Sequence, residues 1–390
     1  MMPEMAQTDR APDPDSEGRK PRSREEFIRQ AVKRFDRASS VEAENRKNAV
    51  DDINFKAGNQ WPPDIRSQRT IEKRPCLTIN KCKTFVHQIT NDQRQNRPGI
   101  KISPVGDRSD KKTAEMLTGL IRHIERQSRA DVAYDTGFDS SVTGGFGYWR
   151  ILTEYDDDSS FDQCIRIARI RNPFRVYLDP DRQEPDGSDA EWGFITDLIT
   201  HEEFRSKYPD AKAVSWNENG VGDEYRNWVT QTHVRVAEYF YFENKKRTLV
   251  ALDSGHVGYE DELAPEIAAQ IKENPAMVTR KREVEVKTCH WDTINCYEVL
   301  EENIWAGKWI PIVEVIGNEI DIEGKVTRSG LIRDAKDPQR MYNYWCTAET
   351  EMIALAPKAP FIMEEGQVEG HEARWRDANI KSYPYLLYKG

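Results

Sequence analysis

Apolar residues recur at helical spacing along three stretches in the first third of the chain. The first stretch begins at Arg24 and continues to about Phe55, with the run Phe27, Ile28, Ala31 and Val32 at its start. The second and third cover residues 80–97 and 110–138. Steps of three and four residues place these apolar side chains on one face of a helix, so each stretch is predicted to be helical.

A fourth helix is predicted from Asp337 to Ala356. Asp337 is a suitable N-cap, and Pro338 suits the first helical position, where its missing N–H costs nothing. Pro357 ends the helix, because the residue before a proline is pushed out of the helical region. The predicted packing stripe consists of Met341, Trp345, Ala348, Met352 and Leu355. The opposite face is polar and carries Arg340, Asn343, Thr347, Glu349 and Glu351.

Between these helices the pattern changes to the two-residue alternation of β-strands. Residues 148–155 and 161–170 alternate on either side of an Asp-rich turn and predict a hairpin. A second hairpin is predicted around HVRVAEYFYFE, with its turn at Lys245-Lys246, and further strands fill 282–315. The order of elements favours an α+β fold: a helical N-terminal part, a β-rich middle and then a long helix.

Several shorter segments give weaker patterns. Residues 1–23 are rich in Pro, Asp, Ser and Arg and are predicted to be a disordered arm. A short strand is expected at Ile100–Val105, irregular structure at Trp61–Pro75 and a helix at Glu260–Glu273. The amide-rich and Arg-rich end of the second helix, NDQRQNR, is suited to hydrogen bonding with another subunit or with phosphates, or to a solvated helix end.

Composition limits the class of protein. The 390 residues are 32% charged, and their mean hydropathy is -0.80. No apolar run reaches the roughly 18 residues of a membrane span, and the N-terminus has no apolar core for a signal peptide. Synthesis in a cytoplasm is therefore expected, with no membrane partner. The six cysteines are scattered, as is typical of reduced thiols.

The charge of the chain is uneven. Its net value is -10, but the first 100 residues carry 20 Lys/Arg against 15 Asp/Glu, whereas the remainder carries 37 against 52. A body this acidic is not expected to hold nucleic acid tightly by neutralising phosphates. It can still line a path along which DNA slides without being captured.

Candidate chemistry is sparse. No P-loop, HExxH or GxSxG pattern occurs, so no enzyme and no cofactor is predicted. The acidic loop Asp179–Glu191 could hold a divalent cation for a metal-dependent nuclease or hydrolase, but Glu184 stands where an EF-hand loop has glycine.

Two further groups do not form a site. Cys289, His290 and Cys296 lack the spacing of a zinc site. Gly144, Gly145 and Gly147 follow a helix rather than a strand, which indicates a flexible turn rather than a nucleotide loop.

Several stretches together resemble a known family, the portal proteins of short-tailed (podovirus-type) bacteriophages. They include FKAGNQWPPDIR, RPCLTINK with HQITNDQRQNRP, TAEMLTGLIRHIE, AYDTGFDSSVTGGFGYWRILTEY, IRNPFRVYLDP with EPDGSDAEW, and SGLIRDAKDPQRMYNYW with ALAPKAPF. They cover most of the chain from about Asp51 to Tyr388. Each is structural rather than catalytic in character, which agrees with the absence of catalytic motifs.

The resemblance implies a structural subunit of a dodecameric ring at one vertex of the virion capsid, assembled in the host cytoplasm. Double-stranded DNA would be packaged and ejected through the channel of the ring. The ring would dock the terminase large subunit, then a tail adaptor protein, and would meet capsid and scaffolding proteins. A scaffold protein that forms no ring is the remaining alternative from a related class.

The resemblance also divides the chain. Residues 24–333 would form an outer wing and 334–356 the first stem helix of the channel, whose apolar stripe would pack against neighbouring stem helices. Residues 357–390 would begin the clip, where terminase and adaptor bind. Portal proteins continue beyond this point with a second stem helix, so the chain is expected to be C-terminally incomplete.

Overall fold

The computed structural model confirms the α+β class, with helices first and a β-rich middle. It describes residues 23–72, 74–105, 110–157, 159–211, 228–230, 232–253, 255, 257–263, 267, 271, 277–355, 362–378 and 385–389. The predicted N-terminal arm lies outside this range, as does most of the predicted helix at 260–273. Of the residues expected to begin the clip, 357–390, the structure describes 362–378 and 385–389.

The helices confirm the main elements expected from the apolar pattern. They are α1 (Arg24–Ala57), α2 (Pro63–Ile71), α3 (Cys82–Gln95), α4 (Lys111–Ser128), α5 (Ala130–Gly144), α6 (His201–Lys207), α7 (Leu331–Leu355) and α8 (Glu372–Arg376). A single turn of 3₁₀ helix covers Pro173–Arg175. Among the described residues, no helix combines the length and apolar character needed to span a membrane.

The strands form antiparallel sheets. They are β1 (Phe146–Tyr155), β2 (Gln163–Arg169), β3 (Val176–Leu178), β4 (Trp192–Thr200), β5 (His233–Leu252), β6 (Val257–Tyr259), β7 (Val278–Ile294), β8 (Val299–Trp305), β9 (Ile312–Ile316), β10 (Asn318–Ile322) and β11 (Lys325–Ser329). The largest sheet has the order β3-β4-β5-β7-β8, with β6 paired to β5. The predicted hairpin is β1-β2, which a third strand, β9, joins, and β10-β11 is a separate hairpin.

The chain divides into two compact units. Unit 1 comprises residues up to 44, 123–133 and 148–314, and contains the large sheet. The first half of α1 presents Ile28, Val32 and Phe35 to this sheet, where they meet aromatic side chains of β3, β4 and β5. Phe35 lies with its ring centroid 4.6 Å from that of Tyr177 and 5.8 Å from that of Phe194. The helical period of α1 therefore supplies one layer of the unit 1 core, and the sheet supplies the other.

Unit 2 comprises residues 45–122, 134–147 and 315–390. It contains α2, α3, the β10-β11 hairpin and α7. Its core joins the second half of α1 to α3 and the start of α7 through Phe55, Cys82, Val86 and Ile332, all of which are buried. This core fixes the position of α7, which carries the candidate functional surface.

Three predictions about unit 2 differ from the structure. Residues 63–71 within the segment expected to be irregular form α2, because Pro63 begins a helix well. No strand forms at Ile100–Val105; instead the Ile102 N–H donates to the Thr118 hydroxyl of α4 at 3.1 Å. The helix that was expected to start after Asp337 begins at Leu331, and Pro338 lies inside it. Burial of Ile332 stabilises the added turns, and Asp334, whose carbonyl loses its partner to Pro338, is exposed to water.

Two further predictions differ at turns. Arg129, at a φ of 51°, separates α4 from α5, so the expected third helix is two helices. No turn forms at Lys245-Lys246: β5 continues through both residues, which pair with Val286 and Glu285 of β7. A two-residue hairpin turn favours residues such as glycine that adopt positive φ, and this lysine pair contains none.

Glycines after α5 allow close packing rather than the flexibility that was expected. A Cβ placed on Gly147 would lie 2.0 Å from the Gly137 carbonyl oxygen. Gly145 has a φ of 99°, and a Cβ there would lie 2.7 Å from the backbone nitrogen of Ser329. These positions require glycine because backbone approaches backbone, so the Gly-rich stretch is a structural feature of unit 2.

Candidate functional site

The long helix α7 buries a polar face. Gln339, Asn343 and Thr347 follow one another at intervals of four residues, and they are only 6%, 1% and 1% exposed. Burying uncharged polar side chains is costly unless each finds a hydrogen-bond partner. In unit 2 those partners come from the extended segment 77–81, which leads into α3.

The three side chains form a ladder along the backbone of this segment. The Leu77 N–H donates to the Thr347 hydroxyl at 3.2 Å. The Ile79 N–H donates to the side-chain oxygen of Asn343 at 3.0 Å. The Lys81 N–H donates to the side-chain oxygen of Gln339 at 3.0 Å. One step of four residues along a helix rises about 6.0 Å. Two residues of extended chain rise about 6.6 Å, so the two repeats match. Helix α7 thus binds every second N–H of the segment with side chains, as a neighbouring strand does with its backbone.

Additional hydrogen bonds tie the members of this ladder together. The Gln339 amide donates to the Ile79 carbonyl at 2.8 Å and to the Asn343 side-chain oxygen at 3.0 Å. The Asn343 amide donates to the Gln60 side-chain oxygen at 2.7 Å, and Gln60 in turn donates to the Phe55 carbonyl. Because every rung has partners on two sides, the ladder fixes both the register and the rotation of α7 within unit 2.

Ion pairs hold α7 on either side of the ladder. Toward its start, Asp52 is fully buried and pairs with Arg333 at 2.7 Å and with Lys336 at 2.6 Å. Lys336 also contacts Asp51. Toward its end, Glu351 pairs with Arg69 at 2.9 Å and accepts two hydrogen bonds from Arg74. The hydrogen bond from Arg74 is the main reason that the pKa of Glu351 is lowered.

The apolar face of α7 is exposed. The predicted packing stripe includes Met341, Trp345 and Met352, whose exposed fractions are 49%, 66% and 71%. Ala348 is exposed as well, and the side chain of Leu355 lies outside the described part of the chain. Asp334, Asp337 and Glu349 add acidic groups on the same exposed side of the helix. Helix α7 therefore packs within unit 2 through its polar face and presents its apolar stripe outward.

The acidic loop Asp179–Glu191 uses its carboxylates to hold its own backbone. Asp179 is buried and accepts hydrogen bonds from the N–H groups of Asp181 and Glu191, while Asp189 accepts from those of Gln183 and Glu184. Among the described residues, no group of three His, Cys, Asp or Glu side chains is placed to hold a metal ion. Nothing in this geometry favours the nuclease alternative.

A buried ionic cluster lies beside this loop in unit 1. The Arg182 guanidinium donates to both carboxylate oxygens of Glu314, at 2.8 and 2.9 Å, and lies 3.4 Å from a Glu42 carboxylate oxygen. Tyr148 donates its hydroxyl to Glu314 at 2.9 Å. Fully paired groups of this kind position a loop and do not offer a free acid or base for catalysis.

The remaining candidates are also structural. Cys289 and Cys296 are buried, and burial raises the pKa of each thiol to about 12. At the polar end of α3, Arg94 and Arg97 both bind Asp135, at 3.1 and 2.8 Å. In the second of these contacts one guanidinium nitrogen of Arg97 donates to both carboxylate oxygens of Asp135, at 2.9 and 2.8 Å. These arginines are thus engaged within unit 2 rather than left for another subunit or for phosphates.

Two comparisons with known proteins identify the family to which the chain is related. A profile of the phage P22-like portal protein family matches residues 32–390. The chain belongs to this family. A protein named "Portal protein" from Acyrthosiphon pisum secondary endosymbiont phage 1 is 26% identical over 373 residues. The match covers 92% of this chain, which spans about half the length (52%) of that relative.

The sequence pattern of this portal-family chain predicted the apolar stripe but not the polar ladder. Gln339, Asn343 and Thr347 have the same four-residue spacing as the apolar positions, and this spacing was the available signal. Hydrophobicity alone assigned burial to the apolar stripe. The face of α7 that is buried inside unit 2 was decided by the segment 77–81, whose backbone N–H groups donate to these three side chains. The helical pattern of α7 does not reveal that segment.

Proposed function

We propose that the chain is a structural subunit of a phage portal ring, a conduit for DNA without catalytic activity. The observation that carries this proposal is the orientation of α7. Its polar face is satisfied inside unit 2, whereas an apolar stripe that includes Trp345 faces outward. A helix fixed in this way has its contact surface available for other polypeptides.

Energetics support assembly through this stripe. Complete burial of a large apolar side chain stabilises a protein by about 1.5–3 kcal/mol, and Met341, Trp345 and Met352 all remain largely unburied in the chain. We infer that α7 is the first stem helix and that its stripe, with Ala348 and Leu355, packs against helices of neighbouring subunits. Such head-to-tail contacts close into rings when the rotation between subunits is suitable.

The distribution of charge supports a conduit. Unit 2 as a whole contains 26 Lys/Arg against 22 Asp/Glu, but the proposed stem, residues 334–356, contains two against four, and Asp334, Asp337 and Glu349 are exposed. A wall of the same sign as DNA repels phosphates, so these acidic groups would allow DNA to move through the channel without being held. The binding of DNA in this proposal is transient and independent of base sequence.

The partners follow from membership of the family. The ring would occupy the portal vertex of the virion and contact capsid and scaffolding proteins during assembly in the host. It would dock the terminase large subunit during packaging and a tail adaptor protein afterwards. In this division, residues 24–333 form the wing, 334–356 the first stem helix and 357–390 the beginning of the clip.

Electron microscopy of the full-length protein tests the proposal. The expected result is a closed ring, twelve-fold by analogy with the family, with a central hole wide enough for duplex DNA. Mass measurement in solution should give the matching assembly. If the protein forms only monomers or dimers at high concentration, the ring proposal is wrong, and a scaffold that forms no ring becomes the better interpretation.

A further inference from the structure

We propose that unit 2 contains a binding site for a phosphate group, in the cavity between α2 and the segment 76–78. The cavity has a volume of about 240 Å³ and is lined by Gly58, Gln60 and Trp61 together with the side chains that argue for an anion. Those side chains are Arg66, Thr70, Arg74, Cys76 and Thr78. This site is separate from the α7 stripe and does not depend on the ring.

The residues that line the cavity favour a negatively charged ligand. Two guanidinium groups line the cavity, and none of its lining residues is Asp or Glu. The surrounding sequence is basic as well, since residues 45–122 contain 16 Lys/Arg against 8 Asp/Glu. A cation would therefore be repelled, whereas an oxyanion would meet charge of the opposite sign.

The arginines have different roles. Arg74 is fully engaged, because its guanidinium donates to both oxygens of Glu351 and to Glu72. Arg69 pairs with the same Glu351 and lies over the Trp61 ring. Arg69 and Arg74 thus share the two carboxylates of Glu72 and Glu351, whereas Arg66 forms no ion pair with a carboxylate in the described part of the chain. Arg66 is the residue that would bind the ligand directly.

The size and polarity of the cavity define the class of ligand. The volume of the cavity is about 240 Å³. It is smaller than the roughly 300–1,000 Å³ of sites that enclose drug-sized ligands, and it lacks their mostly apolar lining. The Thr70 hydroxyl already donates to the Arg66 carbonyl at 2.7 Å, so the donors proposed for the ligand are the Arg66 guanidinium and the Thr78 hydroxyl. A guanidinium and a hydroxyl suit the oxygens of a phosphate. The phosphate could be free in solution or part of a DNA backbone.

Cys76 provides a direct measurement of occupancy. It lines the cavity and is partly exposed, so a bound anion should block its modification. In the full chain with Cys164→Ser and Cys346→Ser, the remaining cysteines other than Cys76 are buried. We expect inorganic phosphate to slow the reaction of Cys76 with an uncharged maleimide at least fivefold and in a saturable way, compared with chloride at equal ionic strength.

Substitution of Arg66 distinguishes specific binding from general screening. Arg66→Gln should raise the phosphate concentration needed for half-protection about tenfold or more, since a hydrogen bond to a charged group is lost. Arg205→Gln, on the surface of α6 in unit 1, is the matched control and should leave protection unchanged. Circular dichroism checks that both variants are folded.

A second arm identifies the source of the phosphate. Protection by a short DNA duplex at lower phosphate concentration than inorganic phosphate would assign the site to the DNA backbone. Protection by inorganic phosphate alone would assign it to the free ion. Equal reaction rates of Cys76 in phosphate and chloride, or full protection in Arg66→Gln, would overturn the proposal. Ring formation is measured independently and is unaffected by either result.

Discussion

The Asn343 side chain accepts the Ile79 backbone N–H at 3.0 Å in the centre of the polar ladder. Replacing it with the apolar Asn343→Leu would leave the Ile79 N–H and the Gln60 side-chain oxygen without these partners. We expect a loss of about 1–3 kcal/mol in the free energy of unfolding for each buried group that loses its hydrogen bond. Chemical denaturation measures this loss, and Met352→Leu, on the exposed face, should change stability by less than about 0.5 kcal/mol.

A substitution in the exposed stripe is predicted to affect assembly and not stability. Trp345→Asp places a charge at a position that is 66% exposed, so unit 2 should remain folded and its unfolding midpoint should change little. Assembly should be lost, because the charge would have to be buried in the contact between subunits. Size-exclusion chromatography with light scattering, together with electron microscopy, measures the outcome.

The two variants control each other. Asn343→Leu should lower the free energy of unfolding, while the molecules that remain folded should still assemble. Trp345→Asp should prevent assembly while leaving the free energy of unfolding nearly unchanged. Normal rings from Trp345→Asp would count against the assignment of α7 as a stem helix. A large loss of stability in the same variant would mean that the stripe is needed within the chain.

The contrast between the two faces of α7 shows how far sequence reasoning extends. The presence of the helix and the α+β order of elements followed from periodicity. The start of α7 did not, because burial of Ile332 extended the helix past the signal from Asp337 and Pro338. Asn343 is buried against the Ile79 N–H, and Thr347 and Gln339 against the N–H groups of Leu77 and Lys81, all more than 250 residues away in sequence. The spacing of apolar and polar residues within one helix does not reveal contacts with segments this distant in the sequence.

Glycine substitutions test the close packing after α5. Gly147→Ala would bring a Cβ within 2.0 Å of the Gly137 carbonyl oxygen, so the backbone must move and stability should fall by about 2 kcal/mol or more. Gly119→Ala is the matched comparison, because it lies within α4 and a Cβ there meets no atom within 4 Å. Alanine should stabilise that helix position by about 0.5–1 kcal/mol. Thermal unfolding should show a lower stability for Gly147→Ala and a higher stability for Gly119→Ala. An unchanged stability in Gly147→Ala would contradict the packing argument.

The buried cluster around Arg182 predicts strong coupling between two side chains. Arg182→Met would leave Glu314 without its charge partner in a buried position, at an expected cost of about 3–5 kcal/mol. Adding Glu314→Leu removes the unpaired carboxylate, so the double variant should lose less stability than Arg182→Met alone. A double-mutant cycle by denaturant unfolding measures the coupling. Additive losses would show that Glu314 does not depend on Arg182.

The thiols offer a test of burial in both units. Cys82, Cys289 and Cys296 are buried, and burial raises the pKa of all three, to about 12 for Cys289 and Cys296. The thiolate is the reactive form, so at about pH 8 only on the order of one Cys289 thiol in ten thousand is ionised. The buried thiols should therefore be protected in the native protein, while the partly exposed Cys76, Cys164 and Cys346 are accessible to a thiol reagent.

A chromogenic disulfide reagent should titrate three thiols in the native protein and all six after denaturation. Mass spectrometry of the modified peptides identifies which three react. The assignment has a clear contrary result: rapid native labelling of Cys289 or Cys296 would mean that the sheet of unit 1 opens readily. Rapid labelling of Cys82 alone would instead place the opening at the contact between α3 and α7, where its thiol lies 3.7 Å from the Gln339 side-chain oxygen.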